Sequence, residues 1–165
     1  MNEFKLDNQG NLIMDYTEEQ LAFFGTCSPT SFPTKKDVQE SLRVFTTIKA
    51  APSQCWFNSR KAIRRLDDYA DASYVEGWAL FFKGLAIEHG WLVKDNKIID
   101  PTLPSDGGLY FPGLEFKGRA GIEEFLQTPE GKKVKRSPFF YAFGWGGMQS
   151  PSFRRAWDQC KAAMV

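Results

Sequence analysis

The chain has 165 residues, of which 42% are apolar and 25% charged, and its formal net charge is +1. This composition is typical of a soluble globular protein, and the length predicts a single domain over residues 1–165. The near-neutral charge excludes a global field that would attract nucleic acid or an acidic membrane surface.

The cysteines and the N-terminus indicate the compartment. Cys27, Cys55 and Cys160 are too few and too scattered for a disulfide framework. A single histidine without a Cys-x-x-Cys pair argues against a metal site. The N-terminus lacks the pattern of a signal peptide, and no window approaches the roughly 18 apolar residues that span a bilayer. We therefore expect a cytoplasmic protein with free thiols, no membrane contact and no cofactor.

Two short basic clusters stand out against the neutral background. They are Arg60-Lys61 with Arg64-Arg65, and Lys132-Lys133 with Lys135-Arg136. The simplest interpretation is a solvated helix face for the first and a solvated loop for the second. Phosphate binding is the alternative at either, and nucleic-acid contact through the first is a weaker hypothesis.

The first 49 residues predict a hairpin and two helices. Turn residues 8–11 separate two short extended segments, and Thr17 with Gln20 forms a capping box for a helix that ends at Gly25. Residues 27–33 are expected to form a loop. A longer helix, capped by Thr34, should run to about Lys49, with an apolar face of Val38, Leu42, Phe45 and Ile48.

The next helix is predicted to begin near Cys55 and to run to about Tyr69. Cys55, Ser59, Ala62 and Leu66 share one face at 3.6-residue spacing, so Cys55 should point inward at the N-terminal end. The partial positive charge of a helix N-terminus stabilises a thiolate. The alternative for Cys55 is an inert buried thiol.

Three strands should follow. They are residues 74–82, residues 85–93 after a tight turn at Lys83-Gly84, and residues 98–100 after a turn at 94–97. A turn of two or four residues pairs Val93 with Ile98 and places Trp91 opposite Asp100. His89, Trp91 and Asp100 then project from the same face, with His89 and Asp100 as diagonal neighbours about 7 Å apart at Cβ.

The remainder is predicted more coarsely. We expect two short strands at 109–111 and 114–116, a helix over 118–126, a loop over 128–138 and a strand at 139–143. The permissive loop Gly144-Trp145-Gly146-Gly147 is a candidate cover for a cleft. A final helix should start at Ser150-Pro151, end near Ala163, and bury Phe153, Trp157 and Cys160.

Three motifs in the middle of the chain resemble the transglutaminase-like superfamily, a branch of the papain-like cysteine fold. They are Gln-Cys-Trp at 54–56, His-x-Trp at 89–91 and Asp-Pro-Thr at 100–102, within roughly residues 50–102. The resemblance implies an α+β fold, with N-terminal helices packed on a mostly antiparallel sheet. It also implies a nucleophile at Cys55, a base at His89 and an orienting acid at Asp100. The compact spacing fits minimal bacterial or phage-type members.

The same residues suggest the chemistry independently. A thiolate at Cys55 would attack a carbonyl to form a thioester, His89 would supply the imidazolium, and Asp100 would orient it. The backbone N–H of Cys55 is a candidate oxyanion donor, and Gln54 and Trp78 are weaker candidates. Asn58 either bonds near the site or braces a loop, and Trp91 either contacts substrate or packs in the sheet. Glu76 is an additional candidate carboxylate if the Lys83-Gly84 turn has two residues, and otherwise a solvated or ion-paired side chain.

The leading hypothesis is a cysteine hydrolase or acyltransferase acting on a protein, peptide or small amide or acyl substrate. The alternative is a non-catalytic binding protein that keeps the fold and holds a ligand or protein partner in the cleft. His89 as a core histidine and Asp100 as a turn residue before Pro101 are the structural alternatives for those positions.

Overall fold

The computed structural model describes residues 5–6, 12–13, 32–82, 84–105 and 107–164. It contains six strands and five α-helices within those residues. The strands are β1 (Lys5–Leu6), β2 (Leu12–Ile13), β3 (Ser73–Phe81), β4 (Leu85–Lys94), β5 (Lys97–Ile99) and β6 (Leu109–Lys117). The helices are α1 (Val38–Ile48), α2 (Cys55–Arg65), α3 (Gly118–Gln127), α4 (Pro129–Lys133) and α5 (Pro151–Ala163).

A four-stranded antiparallel sheet in the order β5-β4-β3-β6 forms the centre of the molecule. The main core joins one face of this sheet to the helices, and includes Val44 of α1, Ala62 of α2, Phe125 of α3 and Phe153 of α5. A smaller cluster of Val75, Trp91 and Ile98 lies on the opposite face. The predicted α+β class, with the helices packed on an antiparallel sheet, is confirmed.

The N-terminal hairpin is also confirmed at its strands, since β1 pairs antiparallel with β2. The predicted helix over 17–25 and most of the loop over 27–33, with Cys27, lie outside the described residues. None of the described helices is both long and apolar enough to cross a membrane.

The β4–β5 hairpin has the predicted register. Val93 pairs with Ile98 and Lys94 with Lys97, so the turn consists of Asp95 and Asn96 alone. Both residues have positive φ, 51° and 57°, as a two-residue type I′ turn requires. Asp and Asn tolerate this conformation better than most residues, so the local sequence fixes the pairing.

Helix α1 differs from its prediction in start and in buried face. It begins at Val38 and is capped by Asp37, whose Oδ1 accepts from Glu40 N at 3.0 Å. The predicted cap at Thr34 is wrong because the chain before Asp37 is extended, with Lys36 bridged in parallel to Ile98 of β5. Ser41, Val44 and Ile48 are buried, whereas Leu42 is 52% exposed, so the predicted apolar face is rotated.

The connection between β3 and β4 is longer than predicted. Phe81 pairs with Leu85, so three residues and not two separate the strands. Phe82 has a φ of 42° and is 91% exposed, which ends β3 one residue early. This one-residue change reverses which β3 side chains share a face with His89.

Further differences lie after residue 105. β6 is one strand, not two, and its pairing with β3 shifts between Glu76 and Gly77, where the β6 partners change from Leu114 to Pro112. Residues 128–138 include the short helix α4, which Thr128 caps by accepting from Gly131 N at 3.0 Å. The predicted strand at 139–143 is wrong, because Phe139–Phe143 forms a 3₁₀ helix.

The two predicted helices of this region are confirmed. α3 spans Gly118–Gln127, and α5 begins at Pro151 after the cap Ser150 and ends at Ala163. Phe153 and Cys160 of α5 are fully buried, while Trp157 is half-buried.

Candidate active site

Helix α2 brings Cys55 to the outer edge of β4. β5 pairs only with the last residues of β4, Leu92 to Lys94, and so leaves the edge at His89 and Gly90 open for another element. The first turns of α2 occupy that position, and Ser59 Oγ donates to the carbonyl of Gly90 at 3.1 Å. Cys55 is the first residue of α2, as predicted, and lies beside His89.

Gly90 makes this close approach possible. A Cβ at this position would lie 3.1 Å from Trp56 Cα, 3.2 Å from Trp56 N and 3.3 Å from the Tyr74 hydroxyl. These distances are tighter than ordinary van der Waals contact, and the main chain of α2 cannot move independently. The absence of a side chain at Gly90 therefore sets how near Cys55 comes to the sheet.

His89 and Asp100 form a buried hydrogen-bonded pair. The distance from His89 Nε2 to Asp100 Oδ2 is 2.7 Å, and the side chains are 2% and 0% exposed. Burial lowers the pKa of His89, but the Asp100 charge and hydrogen bond, with a further contribution from Cys55, raise it to about 10. Because Asp100 occupies Nε2, Nδ1 is the nitrogen left to face the thiol.

Asp100 is held by donors from three other residues. Its Oδ1 accepts from the backbone N–H groups of Thr102 and Leu103, each at 3.0 Å, and its Oδ2 accepts from Tyr110 Oη at 2.7 Å. Burial raises the pKa of Asp100, but the charge of His89 and these hydrogen bonds outweigh it and hold the pKa below its ordinary value. Asp100 is thus an ionised, fixed partner for the imidazole.

Asn58 braces the loop before α2. Its side chain accepts from Ala51 N at 3.0 Å and donates to Ala51 O at 2.8 Å and to Thr102 Oγ1 at 2.9 Å. Asn58 therefore ties the start of the cysteine helix to the segment that follows Asp100. Of the two predicted roles for Asn58, the geometry favours loop bracing.

The other predicted contact residues have different surroundings. Gln54 is exposed at the N-cap of α2, and its side chain makes no capping hydrogen bond. Trp91 is 1% exposed, and its ring stacks on His89 with centroids 6.2 Å apart. Trp91 therefore packs beneath the imidazole. Trp78 lies on the helix-covered face of the sheet, 4.3 Å from the ring of Trp157.

Glu76 does not join His89. Glu76 pairs with Gly90 and Gly77 with His89, so Glu76 and His89 point to opposite faces. The expectation of a solvated Glu76 is also wrong, because Glu76 is 1% exposed. It accepts from the Tyr74 hydroxyl and from the N–H groups of Phe139 and Phe140, the latter two at 2.8 and 2.7 Å. These bonds fix the 3₁₀ helix where a strand was predicted.

The sequence reasoning missed Tyr74 and Tyr110. The charge of Cys55 contributes to raising the pKa of Tyr74, after burial and the charge of Glu76, so Tyr74 lies near the thiol. Tyr110 was predicted in a strand with no role at the site. Its only sequence signal was a tyrosine in a Gly- and Pro-rich segment, which does not identify the partner of its hydroxyl.

A separate pocket of about 690 Å³ lies on the helix-covered face of the sheet, and Cys55, His89 and Asp100 are not among its lining residues. Trp78, Glu88, Tyr141 and Trp157 contribute to its wall, together with the Gly144–Met148 segment. The predicted covering loop, residues 144–147, thus borders a cavity, and Trp145–Gly147 within it forms a short 3₁₀ turn.

Among the described residues, no group of three or more His, Cys, Asp or Glu side chains is arranged to hold a metal ion. Comparisons with family models, curated proteins and solved structures find no match to this chain. Its function is therefore inferred from the chemistry of the site.

Proposed function

We propose that this chain is a cysteine-dependent enzyme that hydrolyses an amide bond or transfers an acyl group through Cys55, His89 and Asp100. We further propose that it is a minimal member of the transglutaminase-like superfamily, with a papain-like fold. The order Cys-His-Asp and the helix followed by antiparallel strands support the family. Its substrate is a protein, a peptide or a small amide or acyl compound.

The observation that carries the proposal is the buried contact between His89 and Asp100 beside Cys55. The 2.7 Å hydrogen bond and the raised pKa of His89, about 10, favour an imidazolium at neutral pH. An imidazolium next to a thiol at a helix N-terminus stabilises the thiolate, which is the nucleophilic form. A packing role for these residues does not require all three groups to meet.

The proposed reaction has two halves. In the first, the Cys55 thiolate forms a C–S bond to the substrate carbonyl carbon, and the carbonyl π pair moves to oxygen. Collapse of this intermediate breaks the C–N bond, and His89 gives its Nδ1 proton to the departing amine. The products are a thioester, a neutral imidazole and a free amine.

In the second half, water or another amine attacks the thioester carbonyl, and neutral His89 accepts the attacking group's proton. The C–S bond then breaks and the thiolate–imidazolium pair is restored. Water gives a carboxylic acid, and an amine gives a new amide. Asp100 keeps Nε2 protonated throughout and so holds the imidazole in one orientation.

The oxyanion needs donors that exist before the reaction. The backbone N–H of Cys55 belongs to the first turn of α2 and has no intrahelical partner, so it is the leading candidate. The Gln54 side chain is exposed and makes no capping bond, which leaves it available as a second donor.

The test is iodoacetamide labelling over a pH series, resolved by peptide mass spectrometry, in the wild type and in His89→Ala. Ordinary thiols are protonated at about pH 6 and react slowly there. We expect Cys55 to label rapidly at that pH and to lose this reactivity in His89→Ala. Cys160, which is fully buried, is the internal control and should stay slow in both proteins.

Slow labelling of Cys55 in both proteins would contradict the thiolate–imidazolium pair. If labelling is fast, amide and acyl substrates are screened with the wild type and Cys55→Ala, with and without an added amine. Hydrolysis appears as a new acid and transfer as a new amide. Cys55→Ala should abolish both.

A non-catalytic binding protein is the second candidate. The near-complete burial of Cys55, His89 and Asp100, at 6%, 3% and 0% exposure, favours it because a substrate has little direct access. It predicts slow thiol labelling, with ligand affinity unchanged in Cys55→Ala.

A further inference from the structure

The pocket beside Trp78 has aromatic walls on several sides. Trp78, Tyr141, Trp145 and Trp157 line it, and Trp145 is 96% exposed. Exposing this much indole surface to water is costly unless a ligand or partner covers it. The pocket volume, about 690 Å³, is that of a small-molecule or side-chain site.

Glu88 is the acidic group in this wall. Burial raises the pKa of its carboxyl, and no neighbouring charge or hydrogen bond offsets this effect. Across the described ranges Glu88 forms neither a salt bridge nor a hydrogen bond, although its Oε1 lies 3.7 Å from where a Cβ on Gly146 would stand. A half-buried carboxylate without a partner is unfavourable.

Trp78 supplies a second unmatched group. Its indole Nε1 is buried and has no hydrogen-bond partner in the part of the chain that the structure describes. Buried polar atoms are normally paired, so an unpaired indole N–H at this position is unusual. The wall of the pocket thus combines ring faces and one carboxylate, and the ring of Trp78 in it carries an unpaired, buried N–H.

We propose that this pocket binds an ammonium group, either quaternary or the charged amine of a lysine side chain. Ring faces attract a cation through their quadrupoles, and the Glu88 carboxylate supplies the opposite charge. A neutral ligand would leave the carboxylate uncompensated, and an anion would be repelled by it.

The pocket lies close to the proposed nucleophile. Glu88 and Gly90 are two residues apart on the same face of β4, about 7 Å along the strand, and the main chain of Trp56 touches Gly90. A ligand anchored there by its ammonium group and extending along β4 towards Gly90 would approach the first turn of α2. As a statement about substrate, this inference rests on the proposed function; as a statement about binding, it stands without it.

The test uses three probes, measured by calorimetric titration and by tryptophan fluorescence. Choline represents a quaternary ammonium, N-acetyl-lysine methylamide represents a lysine side chain, and 3,3-dimethylbutanol is the neutral carbon analogue of choline. We expect at least one cationic probe to bind and the neutral analogue to bind at least about tenfold more weakly. The better cation identifies the source of the ammonium group.

Variants locate the binding. Glu88→Gln keeps the shape of the side chain and removes its charge, and Trp145→Ala removes an exposed wall without disturbing the core. Each should weaken cation binding by about tenfold. The matched controls Glu124→Gln and Phe82→Ala alter an exposed carboxylate and an exposed ring that do not line the pocket, and should have no effect.

Equal binding of choline and its neutral analogue, or unchanged affinity in both Glu88→Gln and Trp145→Ala, would overturn the ammonium site. Comparing cation binding with the thiol labelling of the wild type separates the two proposals. If the wild type binds the cationic probe but Cys55 labels slowly, the ammonium site is supported and the proposed enzyme activity is contradicted.

A separate observation concerns the two basic clusters. Both contribute to one pocket of about 510 Å³: Arg60 and Arg64 come from the first cluster, and Lys135 and Arg136 from the second. Arg119 of α3 adds a fifth cation, against the carboxylate Glu123. Among these five, only Arg119 has a salt bridge within the described chain, to Asp67 at 3.6 Å.

We infer that this second pocket binds a small phosphate-bearing ligand. Cations from distant parts of the chain converge on one open pocket, and a bound anion would relieve their mutual repulsion. An apolar floor that includes Phe57 and Ile122 adds a surface for an uncharged ligand moiety. A single pocket suits a small ligand better than a nucleic acid, which needs an extended basic surface.

The probe is inorganic pyrophosphate, titrated by calorimetry at low salt. A single-stranded oligonucleotide, titrated in the same way, represents nucleic acid as the alternative ligand. We expect pyrophosphate binding to weaken at least about tenfold in the double variant R64A/R136A. The control R65A/K132A removes one residue from each cluster that does not line the pocket, and should bind normally. Equal loss in both variants, or tighter binding of the oligonucleotide than of pyrophosphate, would refute the inference.

Discussion

The hydroxyl of Tyr110 and the imidazole of His89 bond to the same oxygen of Asp100, each at 2.7 Å. Tyr110 therefore shares Oδ2 with the imidazole and restricts the orientation of the Asp100 carboxylate, which in turn orients the imidazole. Its ring is itself positioned by Lys36, whose Nζ lies 5.1 Å from the ring centroid. Lys36 also donates to the carbonyls of Leu103 and Ser105. The Lys36 side chain therefore links Tyr110 to the loop that follows Asp100.

Tyr110→Phe should keep the ring and lose only the hydroxyl. A hydrogen bond to a charged group is worth about 2 kcal/mol, so we expect a loss of stability of that order in urea unfolding. We also expect the labelling rate of Cys55 at about pH 6 to fall severalfold, because the imidazole is less firmly oriented. Unchanged labelling with lowered stability would limit Tyr110 to a structural role.

Gly90→Ala should separate the cysteine helix from the sheet. The added Cβ meets Trp56 main-chain atoms at 3.1 to 3.2 Å, so α2 must shift and move Cys55 away from His89. We expect about 1–3 kcal/mol of destabilisation and roughly tenfold slower Cys55 labelling. The control Gly121→Ala, whose new Cβ meets its neighbours at 3.5 Å or more within α3, should be neutral or stabilising.

The raised pKa of His89 predicts how stability depends on pH. Between its ordinary value of 6.5 and its folded value of about 10, the folded protein holds a proton that the unfolded chain releases. The His89 contribution is therefore complete below pH 6.5 and is lost as pH rises towards 10. In Cys55→Ala, which has no thiolate to offset the proton held by His89, the unfolding free energy should fall by up to roughly 1 kcal/mol per pH unit in this window.

Chemical denaturation of Cys55→Ala at several pH values measures this slope, with His89→Gln in the same background as the control. If the double variant shows the same slope as Cys55→Ala, another group releases the proton and the His89–Asp100 interaction is weaker than its geometry indicates.

Asn58→Ala should lower the stability of the protein without changing any of the proposed catalytic residues. It removes bonds to both backbone groups of Ala51 and to Thr102. Leaving a buried group unsatisfied costs about 1–3 kcal/mol, and since Ala51 and Thr102 are only partly buried we expect a total loss of about 2–4 kcal/mol in urea unfolding. Thr102→Val removes only the third partner and should cost less than half as much. Equal losses in the two variants would contradict the bracing role.

The part of the site that could be predicted from sequence is the part that local chemistry determines. Asp95 and Asn96 favour a two-residue turn, and this turn pairs Val93 with Ile98 and aligns His89 with Asp100. The position of Cys55 followed from the helical spacing of Cys55, Ser59, Ala62 and Leu66. Each of these inferences depends on residues close together in the chain.

The remaining features depend on contacts between distant segments. Phe139–Phe143 has the composition of a strand, but the buried Glu76 carboxylate accepts two of its N–H groups and stabilises a 3₁₀ helix. Tyr110 bonds to Asp100 only because β6 returns beside β3. The exposed Phe82 could not be anticipated either, since an apolar residue is a poor signal for a loop.

The short turn between β4 and β5 also has a consequence for the order of assembly. His89 and Asp100 are only 11 residues apart, so closing the hairpin brings base and acid together at small entropic cost. Cys55 is contributed by a separate helix, which must dock on the edge of β4. We therefore expect a nascent chain to form the imidazole–carboxylate pair first and to gain an activated nucleophile only with tertiary folding. Reactivity would then report on completed folding, and partly folded chains would be protected from premature thiol chemistry.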